Sequence, residues 1–252
     1  MPELTADDYA YRFPDHWMAH EKHAGTLFER LNRAYVSRVI EIIKSSGAKT
    51  VLEVGCGDGW NCGQMVAAGL DVTGTDWSEN GIRYATMFVP GAQFFRGDVR
   101  DDEFLKRFPN KFDAIALIEV LEHIPPNDSV SAMTNIAIPL KAGGTFVLTT
   151  PSINFPNDNP QHYQHFTEAK LRDIASAAGL VVKSVEGYGD VRQADAYWRK
   201  MRWIENRYWS IKPAVKFLTD SYHRKTNLRS TPLDVCHGFV MTMNKPWSQG
   251  EA

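Results

Sequence analysis

The spacing of apolar positions changes repeatedly along the chain after residue 49. Short runs that are apolar at nearly every position predict strands buried on both faces of a sheet. Longer segments with apolar residues three or four positions apart predict helices between those runs. Strands are predicted at residues 50–54, 71–76, 93–96, 112–119 and 144–150, and helices at 61–68, 79–88, 102–107, 128–139 and 167–178. Strands that alternate with helices in this way are typical of a parallel sheet with helices on both faces.

Elements at both ends of the chain complete the predicted sheet. A helix is expected at residues 27–44, with Gly47 as its stop, and the last two strands are expected at 180–186 and 235–243. Residues 1–26 are rich in aromatic side chains and histidines but have no clean period. We therefore expect them to form an N-terminal cap segment that folds over a ligand, or else a plain N-terminal wrap.

Residues 187–233 separate the last two strands and depart most from a minimal hairpin, which needs only a few residues there. Aromatic side chains such as Trp203 and Phe217 alternate in this insertion with basic ones such as Lys216. We expect one or two helices over the carboxyl end of the sheet, broken near Pro213. Three interpretations compete: a substrate lid, a packing or homodimer surface, and a patch that faces a membrane or RNA.

Composition narrows the picture to an ordinary globular chain. A chain of 252 residues that is 43% hydrophobic and 23% charged can bury one large core, so a single domain is expected over residues 27–252. The formal net charge of −2 gives no electrostatic reason to expect bulk nucleic-acid binding. No apolar run approaches the length of a membrane helix, and the N-terminus is unlike a signal peptide, so we expect a cytoplasmic protein. Cys56, Cys62 and Cys236 match no metal pattern and are interpreted as structural thiols.

Residues 51–60 combine an apolar strand with a glycine-rich turn, in the order VLEVGCGDGW. Gly55, Gly57 and Gly59 permit positive φ and a close approach of backbone N–H groups to a ligand. Asp76 follows roughly 20 residues after the first glycine, the separation at which a strand–helix–strand unit brings an acid to the hydroxyl pair of a ribose. The turn therefore predicts a site for a ribonucleoside ligand at the edge of an α/β sheet.

The motif E-x-G-C-G-x-G after a strand resembles motif I of the class I S-adenosylmethionine-dependent methyltransferases. Further motifs of that family follow in its order at Asp76 with Trp77, 96–99, 112–123 and 141–151. The resemblance covers residues 30–186. It implies a Rossmann-like α/β sheet, parallel except for an antiparallel edge hairpin, and S-adenosylmethionine as the cofactor. The cofactor-binding residues that it implies are Glu53, Gly55, Cys56, Gly57, Gly59, Asp76, Trp77, Asp98, Val99, Ile118 and Glu119.

Three histidines are candidates for the catalytic base: His123, His162 and His165. An oxygen or nitrogen acceptor must lose a proton when it is methylated, and histidine titrates near neutral pH. His123 follows the fourth strand, at the edge where open α/β sheets bind ligands. His162 and His165 lie in a long polar loop after the fifth strand, and such loops commonly carry function. Structural roles, in bridging the backbone or fixing the loop, are the alternatives.

Glu119, Glu122 and His123 could instead share a divalent cation such as Mg²⁺, which would orient an acceptor hydroxyl pair and lower its pKa. Their E-x-x-E-H element resembles that of the ubiquinone-biosynthesis O-methyltransferases. It is also similar to an element of the small-RNA 3′-terminal 2′-O-methyltransferases, which pair it with later histidines, and His162 or His165 could supply one here. The alternative is that Glu119 serves the cofactor and no metal is bound.

Together these features predict methyl transfer to a hydroxyl of a small polar acceptor, such as a sugar, a polyol or a phenolic biosynthetic intermediate. The alternatives are metal-assisted O-methylation of a catechol or ribose diol, N-methylation of an amine, and a non-catalytic interaction protein with the same fold. Methylation of a nucleic-acid base amine is disfavoured. Residues 119–122 read E-V-L-E, whereas such enzymes usually carry an Asn/Asp-Pro-Pro-Tyr-type element at this place.

Overall fold

The computed structural model describes residues 11–22, 27–204, 211–225 and 230–247. The strands are β1 (Thr50–Val54), β2 (Asp71–Asp76), β3 (Gln93–Arg96), β4 (Phe112–Ile118), β5 (Leu140–Pro151), β6 (Val181–Asp190) and β7 (Cys236–Asn244). The helices are α1 (Asp15–Lys22), α2 (Leu27–Ser45), α3 (Trp60–Ala67), α4 (Glu79–Phe88), α5 (Asp102–Leu105), α6 (Ser129–Ile136), α7 (Glu168–Ala177), α8 (Val191–Ile204) and α9 (Lys212–Lys225). Two short 3-10 turns, Leu121–His123 and Pro126–Asp128, lie between β4 and α6.

The strands form one sheet in the order β3-β2-β1-β4-β5-β7-β6. Strands β1 to β5 pair in parallel, and β7 runs antiparallel to both of its neighbours, β5 and β6. This is the predicted Rossmann-like sheet with an antiparallel edge hairpin. The connections change direction between β1 and β4, so the carboxyl ends of these two strands border the crevice at which such sheets bind ligands.

Neighbouring residues of β1 are buried on opposite faces of the sheet. Val51 packs in a core with Val39 and Ile43 of α2, whereas Leu52 packs in a second core that includes Met133 of α6 and Leu171 of α7. All of these side chains are almost completely inaccessible to solvent. Burial of each such side chain stabilises the fold by roughly 1.5–3 kcal/mol. Helices on both faces explain why the strands are apolar at nearly every position.

Two of the strand ends that differ from the predicted ones lie at local backbone irregularities. Strand β4 ends at Ile118, since Glu119 has a φ of 53°, which lies outside the extended region. Strand β5 begins at Leu140 rather than at residue 144. Its pairing with β4 shifts register just after Leu140, as in a β-bulge, and Gly143 with its φ of 74° lies within this irregular stretch.

The insertion before the last strand is helical, as expected, but shorter than predicted. Residues 187–190 pair with β7, so strand β6 runs as far as Asp190. Helices α8 and α9 follow, and Pro213 lies in the first turn of α9, where its missing N–H leaves no backbone hydrogen bond unmade. Residues 205–210 lie outside the described part of the chain. Tyr197 and Met201 of α8 are buried against Leu31 of α2.

The predicted N-terminal cap contains a helix that its sequence did not suggest. Helix α1 is short and mostly polar, and a helix of this length is marginal in isolation, so contacts with the rest of the protein must stabilise it. Residues 1–10 and 23–26 of the predicted cap lie outside the described residues.

The cysteines and the helices bear on two further expectations from the sequence, namely structural thiols and the absence of a membrane-spanning apolar run. Cys56, Cys62 and Cys236 are free and buried, in agreement with structural thiols. None of the helices in the described ranges combines the length and the apolar character needed to cross a membrane.

Candidate active site at the carboxyl ends of β1 and β4

The turn after β1 contains three glycines with positive φ: 74° at Gly55, 52° at Gly57 and 81° at Gly59. A Cβ atom at Gly55 would overlap the side chain of Val120, and one at Gly57 would overlap the hydroxyl of Tyr11. Residues with side chains would therefore be strained here and would also collide with neighbours. The turn at the start of α3 thus has the backbone conformations that the sequence predicted, and its neighbours leave no room for side chains.

Asp76, the predicted ribose acid, lies beside this turn at the end of β2. Its Oδ2 accepts a hydrogen bond from the backbone N of Gly57 at 2.9 Å, and its Oδ1 accepts one from the backbone N of Ser78 at 2.8 Å. The backbone N of Gly55 donates to the carbonyl of Thr75 at 2.7 Å. These bonds attach the turn to the end of β2 and hold the carboxylate of Asp76 next to the glycines.

Glu53 is completely buried in β1 beneath the turn. Its Oε2 accepts a hydrogen bond from Sγ of Cys62 at 2.8 Å, and its Oε1 has no hydrogen-bond partner among the described residues. Burial raises the pKa of Glu53 to about 7, although the hydrogen bond from Cys62 acts in the opposite direction. A cationic group bound in the crevice would favour the ionised form of this carboxyl.

The other predicted cofactor residues differ in their exposure and in their contacts with neighbouring side chains. Trp77 follows β2 with 44% of its surface exposed, so its indole can still pack on a planar ligand. The carboxylate of Asp98 accepts from Nε of Arg100 at 3.0 Å, and this interaction lowers the pKa of Asp98. Ile118 is buried at the end of β4, and Val99 packs at the margin of one core.

Glu119 follows β4 and is held from two sides. Thr149 Oγ1 donates to its Oε1 at 2.8 Å, and the Tyr188 hydroxyl donates to the same oxygen at 3.0 Å. Burial raises the pKa of Glu119 to about 7, although both hydrogen bonds oppose this shift. Tyr188 was not a sequence candidate, because no local pattern marks a residue of the edge strand β6 as a neighbour of the end of β4.

Glu122, His123 and His162 lie close enough to share a metal ion, since one potential ligand atom from each lies within 4.8 Å of the others. Oε2 of Glu122 accepts from Thr150 Oγ1 at 2.9 Å, and its Oε1 has no hydrogen-bond partner within the described ranges. Burial, followed by the charge of Glu119, raises the pKa of Glu122 well above its ordinary value. In this group His162 takes the place that the sequence-based hypothesis gave to Glu119.

Hydrogen bonds determine the tautomers of the three histidines in their neutral forms. Nδ1 of His165 lies 2.9 Å from the carbonyl of Phe155, and because a carbonyl can only accept, this nitrogen carries the proton. Nε2 of His165 then accepts from Nδ1 of His162 at 3.0 Å. Nδ1 of His123 similarly donates to the carbonyl of Gln161 at 3.1 Å. The Nε2 atoms of His123 and His162 therefore both carry lone pairs that can bind a proton or a metal ion.

Burial favours the neutral forms of His123 and His162. Burial lowers the pKa of His123, and burial together with the charge of His123 lowers the pKa of His162 to about 4. His165 uses both of its ring nitrogens in hydrogen bonds and orients His162. Of the three predicted base candidates, His123 and His162 are thus the two whose Nε2 atoms could accept a proton or bind a metal ion.

His237 of β7 lies on the same side of the site and was not predicted from the sequence. Its ring stacks on that of Phe155 with 3.9 Å between centroids, and it lies 5.8 Å from the ring of Tyr188. Burial, and then the charge of His165, lowers the pKa of His237 to about 4. His237 reaches this side of the site because β7 pairs with β6, and this pairing exists only in the folded sheet, so the local sequence did not mark the residue.

The glycine turn and the histidine group belong to one continuous site. Strands β1 and β4 pair in parallel up to Val54 and Leu117, so the two chains leave the sheet side by side. The side chain of Val120, between Glu119 and the histidines, occupies the space next to Gly55. A ligand on the glycine turn is therefore adjacent to the turn that carries Glu122 and His123.

Comparison with known proteins agrees with the family resemblance of the sequence motifs. A family model described as a methyltransferase domain matches residues 23–185. The ubiquinone biosynthesis O-methyltransferase of Nitrosomonas europaea is 26% identical over 191 residues, which cover 68% of this chain and 80% of that protein. The protein of the same name from Coxiella burnetii is 35% identical over 157 residues, which cover 55% of this chain and 66% of that protein.

Solved structures share the fold at low sequence identity. An S-adenosylmethionine-dependent methyltransferase from Archaeoglobus fulgidus matches with a TM-score of 0.62 at 18% identity, over 91% of this chain and 99% of that chain. The magnesium protoporphyrin IX methyltransferase of Synechocystis, solved with bound S-adenosylhomocysteine, matches with a TM-score of 0.56 at 16% identity, over 86% and 84% of the two chains. At these identities the likeness concerns the fold.

Proposed function

Because the chain belongs to the methyltransferase domain family and is an S-adenosylmethionine-dependent enzyme, we propose that it methylates a hydroxyl group of a small acceptor molecule. The similarity to ubiquinone biosynthesis O-methyltransferases supports oxygen as the acceptor atom. The observation that carries the proposal is the pair of neutral imidazoles, His123 and His162, each with a lone pair on Nε2, on the turn and loop beside the glycine turn.

The residues around the glycine turn fit S-adenosylmethionine as the methyl donor. When bound, this cofactor supplies an electrophilic methyl group on a positively charged sulfur. Gly55, Gly57 and Gly59 carry no side chains that would block it, and the carboxylate of Asp76 lies beside them to accept hydrogen bonds from ribose hydroxyls. A positively charged ligand bound above the buried Glu53 would favour the ionised form of this carboxyl, which suits a cationic cofactor.

On this proposal, Nε2 of His162 receives the proton that the acceptor hydroxyl loses. Nδ1–H of His162 remains hydrogen-bonded to His165, which keeps the ring oriented, and the positive charge that the ring acquires favours the ionised form of the nearby Glu122. A pKa of about 4 makes His162 a weak base. Such a base suits the acidic hydroxyl of a phenol or catechol better than that of a sugar or polyol.

Metal-assisted methylation is a second candidate, favoured by the proximity of Glu122, His123 and His162. Two imidazoles and one carboxylate suit Mn²⁺, Fe²⁺ or Zn²⁺ better than Mg²⁺, which prefers oxygen ligands. Such a cation would lower the pKa of a catechol hydroxyl and would compensate for the weakness of the imidazole base. The buried, unpartnered Oε1 of Glu122 is the further observation in its support.

The helical insertion is proposed as the lid of the acceptor side. Helix α8 starts immediately after Asp190, at the carboxyl end of β6, and its Tyr197 and Met201 anchor it to α2. Trp203 and Phe217 are 78% and 66% exposed, respectively, which also suits the alternative of a homodimer surface. Light scattering at several concentrations, with wild type and Trp203→Ser, distinguishes the two: a dimer that Trp203→Ser dissociates would favour the interface.

Methyl transfer from radiolabelled S-adenosylmethionine to a matched set of small molecules tests the acceptor class. We expect transfer to 3,4-dihydroxybenzoate or 4-hydroxybenzoate, with the methoxy product identified by mass spectrometry, and less or none to inositol or ethanolamine. His162→Ala should reduce kcat by roughly 100-fold or more while the Kd for S-adenosylhomocysteine stays unchanged. Transfer to ethanolamine alone, with the methyl group located on nitrogen by mass spectrometry, would indicate N-methylation. Cofactor binding without transfer to any probe would favour a non-catalytic interaction protein.

The same assay in the presence of EDTA separates the two mechanisms. Activity that EDTA abolishes and Mn²⁺ restores would establish the metal-assisted reaction. Full activity in excess EDTA would leave His162 as the base without a cation. Glu122→Gln sharpens the comparison, because it removes the carboxylate ligand but preserves the size and the hydrogen-bonding shape of the side chain.

A further inference from the structure

The N-terminal cap is bound to the glycine turn through Asp58, a residue with no part in the function proposed above. The backbone N–H of His16 donates to Oδ2 of Asp58 at 2.8 Å, and Nδ1 of His16 lies 3.0 Å from Oδ1. Nε1 of Trp17 donates to the carbonyl oxygen of Asp58 at 2.9 Å. Asp58 is completely buried. One residue of the turn therefore binds two consecutive residues of the cap, through both its side chain and its backbone.

Charge and packing strengthen this attachment. Burial disfavours the charged form of His16, but the hydrogen bond and the charge of Asp58 outweigh it and raise the pKa of His16 above its ordinary value. The ring of Trp17 packs against Trp60, at 4.8 Å between centroids, and against Phe88, at 5.2 Å. Helix α1 is thus fastened to the first turn of α3 and to the end of α4.

The attachment of α1 holds Tyr11 over the glycine turn. The hydroxyl of Tyr11 occupies the space where a Cβ atom of Gly57 would lie, and its ring passes 3.3 Å from the Cβ position of Gly81. Burial, followed by the charges of Asp76 and Asp58, raises the pKa of Tyr11 well above its ordinary value, so the phenol keeps its proton and can donate a hydrogen bond. Tyr11 also has a φ of 55°, which is uncommon for a bulky residue and occurs where surrounding contacts enforce it.

We propose that Tyr11 is a donor-site residue, whose phenol closes the outer side of the S-adenosylmethionine pocket between Gly57 and Asp76, and that Asp58 positions it there through the cap. No side chain separates the Tyr11 hydroxyl from the backbone of Gly57, so a ligand lying on this part of the turn contacts the phenol. Asp58 is a positioning residue, because it anchors the chain just beyond Tyr11 and stabilises the strained backbone. The donor can then enter or leave only when the cap moves.

Binding of S-adenosylhomocysteine to the full chain tests this proposal independently of the acceptor. Calorimetry should show that Tyr11→Phe raises Kd about 5-fold, the effect of losing one hydrogen bond. Asp58→Asn removes the negative charge that faces His16 and one of the two acceptor oxygens that hold it. It should raise Kd by a similar factor, mainly through faster dissociation in stopped-flow measurements. Because Asp58 acts through Tyr11, the double variant should bind no more weakly than the weaker single variant.

Matched controls keep the outcome specific. Tyr163→Phe removes a largely exposed phenol hydroxyl elsewhere, and Asp71→Asn neutralises an exposed carboxylate at the opposite end of β2, so both should retain the wild-type Kd. Thermal unfolding without ligand confirms that each variant is folded. An unchanged Kd in Tyr11→Phe overturns the donor contact, and additive losses in the double variant overturn the positioning role of Asp58.

Hydrogen exchange provides a second readout of cap closure. S-adenosylhomocysteine should slow amide exchange across residues 11–22 in the wild-type protein and should do so much less in Asp58→Asn. No slowing in the wild type would contradict closure of the cap over the donor. Failure of these binding experiments would leave the proposed O-methylation intact, and failure of the acceptor assay would not affect them.

Discussion

Replacement of Gly55 by alanine tests whether the glycine turn packs against the turn that follows β4. Gly55 has a φ of 74°, a conformation that costs an L-residue roughly 1–2 kcal/mol. The new Cβ would also overlap Val120, and overpacking of this kind costs roughly 1–3 kcal/mol. We therefore expect Gly55→Ala to lower the free energy of unfolding by ~2–5 kcal/mol. The melting temperature should fall by about 2–4 °C for each kcal/mol.

A matched glycine and a double variant separate the two costs. Gly179 has a φ of 76°, but nothing lies within 4 Å of the position that its Cβ would take, so Gly179→Ala should lose only the ~1–2 kcal/mol of the backbone. In Gly55→Ala combined with Val120→Ala, the overlap disappears while the backbone cost remains. The double variant should thus be less destabilised than the sum of its single variants by ~1–3 kcal/mol.

Urea unfolding followed by tryptophan fluorescence and circular dichroism measures these free energies, and coincidence of the two probes checks that unfolding is two-state. A Gly55→Ala variant that is no less stable than Gly179→Ala would refute the overlap with Val120. Strict additivity in the double variant would refute the contact between the two turns. S-adenosylhomocysteine binding should be lost in Gly55→Ala and kept in Gly179→Ala, because only the first change distorts the cradle.

Two carboxylates, the buried Glu53 and the partly exposed Asp113, and the loop histidine His165 allow three more measurements. The pKa of Glu53 is raised to about 7, so its stabilising effect is complete below its ordinary pKa of 4.5 and is lost as pH rises through 7. The unfolding free energy of Glu53→Gln should therefore drop less than that of wild type between about pH 5 and about pH 8. An equal drop in the two proteins would contradict the shift. Burial raises the pKa of Asp113, but hydrogen bonds from Lys141 and from the backbone N–H groups of Thr50 and Lys49 outweigh it and lower the pKa. Asp113→Asn should lower the free energy of unfolding by about 2 kcal/mol at neutral pH, and this difference should shrink as pH falls below the ordinary pKa. A difference that does not depend on pH would contradict the lowered pKa. If His165 orients His162 as a metal ligand, His165→Ala should weaken Mn²⁺ binding at Glu122, His123 and His162 by about 10–100-fold, as measured by calorimetry. Equal affinity of the variant and the wild type would show that His165 has no such role.

The donor half of the site could be predicted from the sequence because it is built from local geometry. Gly55, Gly57 and Gly59 lie in one turn, and their positive φ values follow from the chain's need to leave a strand and enter a helix at once. Asp76 is one strand–helix–strand unit away, and parallel pairing of β1 with β2 brings the ends of the two strands together. The alternation of strands and helices predicts this pairing.

The acceptor half could be predicted only in outline. Glu119 was predicted as the last residue of a strand, but its positive φ accompanies contacts with Thr149 and Tyr188 from two other strands. The grouping of His162 with Glu122 depends on how the long loop after β5 folds back, which periodicity does not determine. The sequence identified the segments that the structure brings together, and the folding of the loop determines which of their atoms meet.

The sequence by itself determined the order of elements and the Rossmann-like sheet, because these follow from apolar spacing. The resemblance of its motifs to those of a known family implied the cofactor class. Only the tertiary structure decided which side chains complete the site. It placed Tyr188 beside Glu119, and His237 beside Tyr188, through the antiparallel hairpin. It also brought Tyr11 over Gly57 and His16 to Asp58. The physical reason is distance along the chain: a hydrogen bond between residues far apart in sequence leaves no trace in the local pattern and forms only when the whole sheet has assembled.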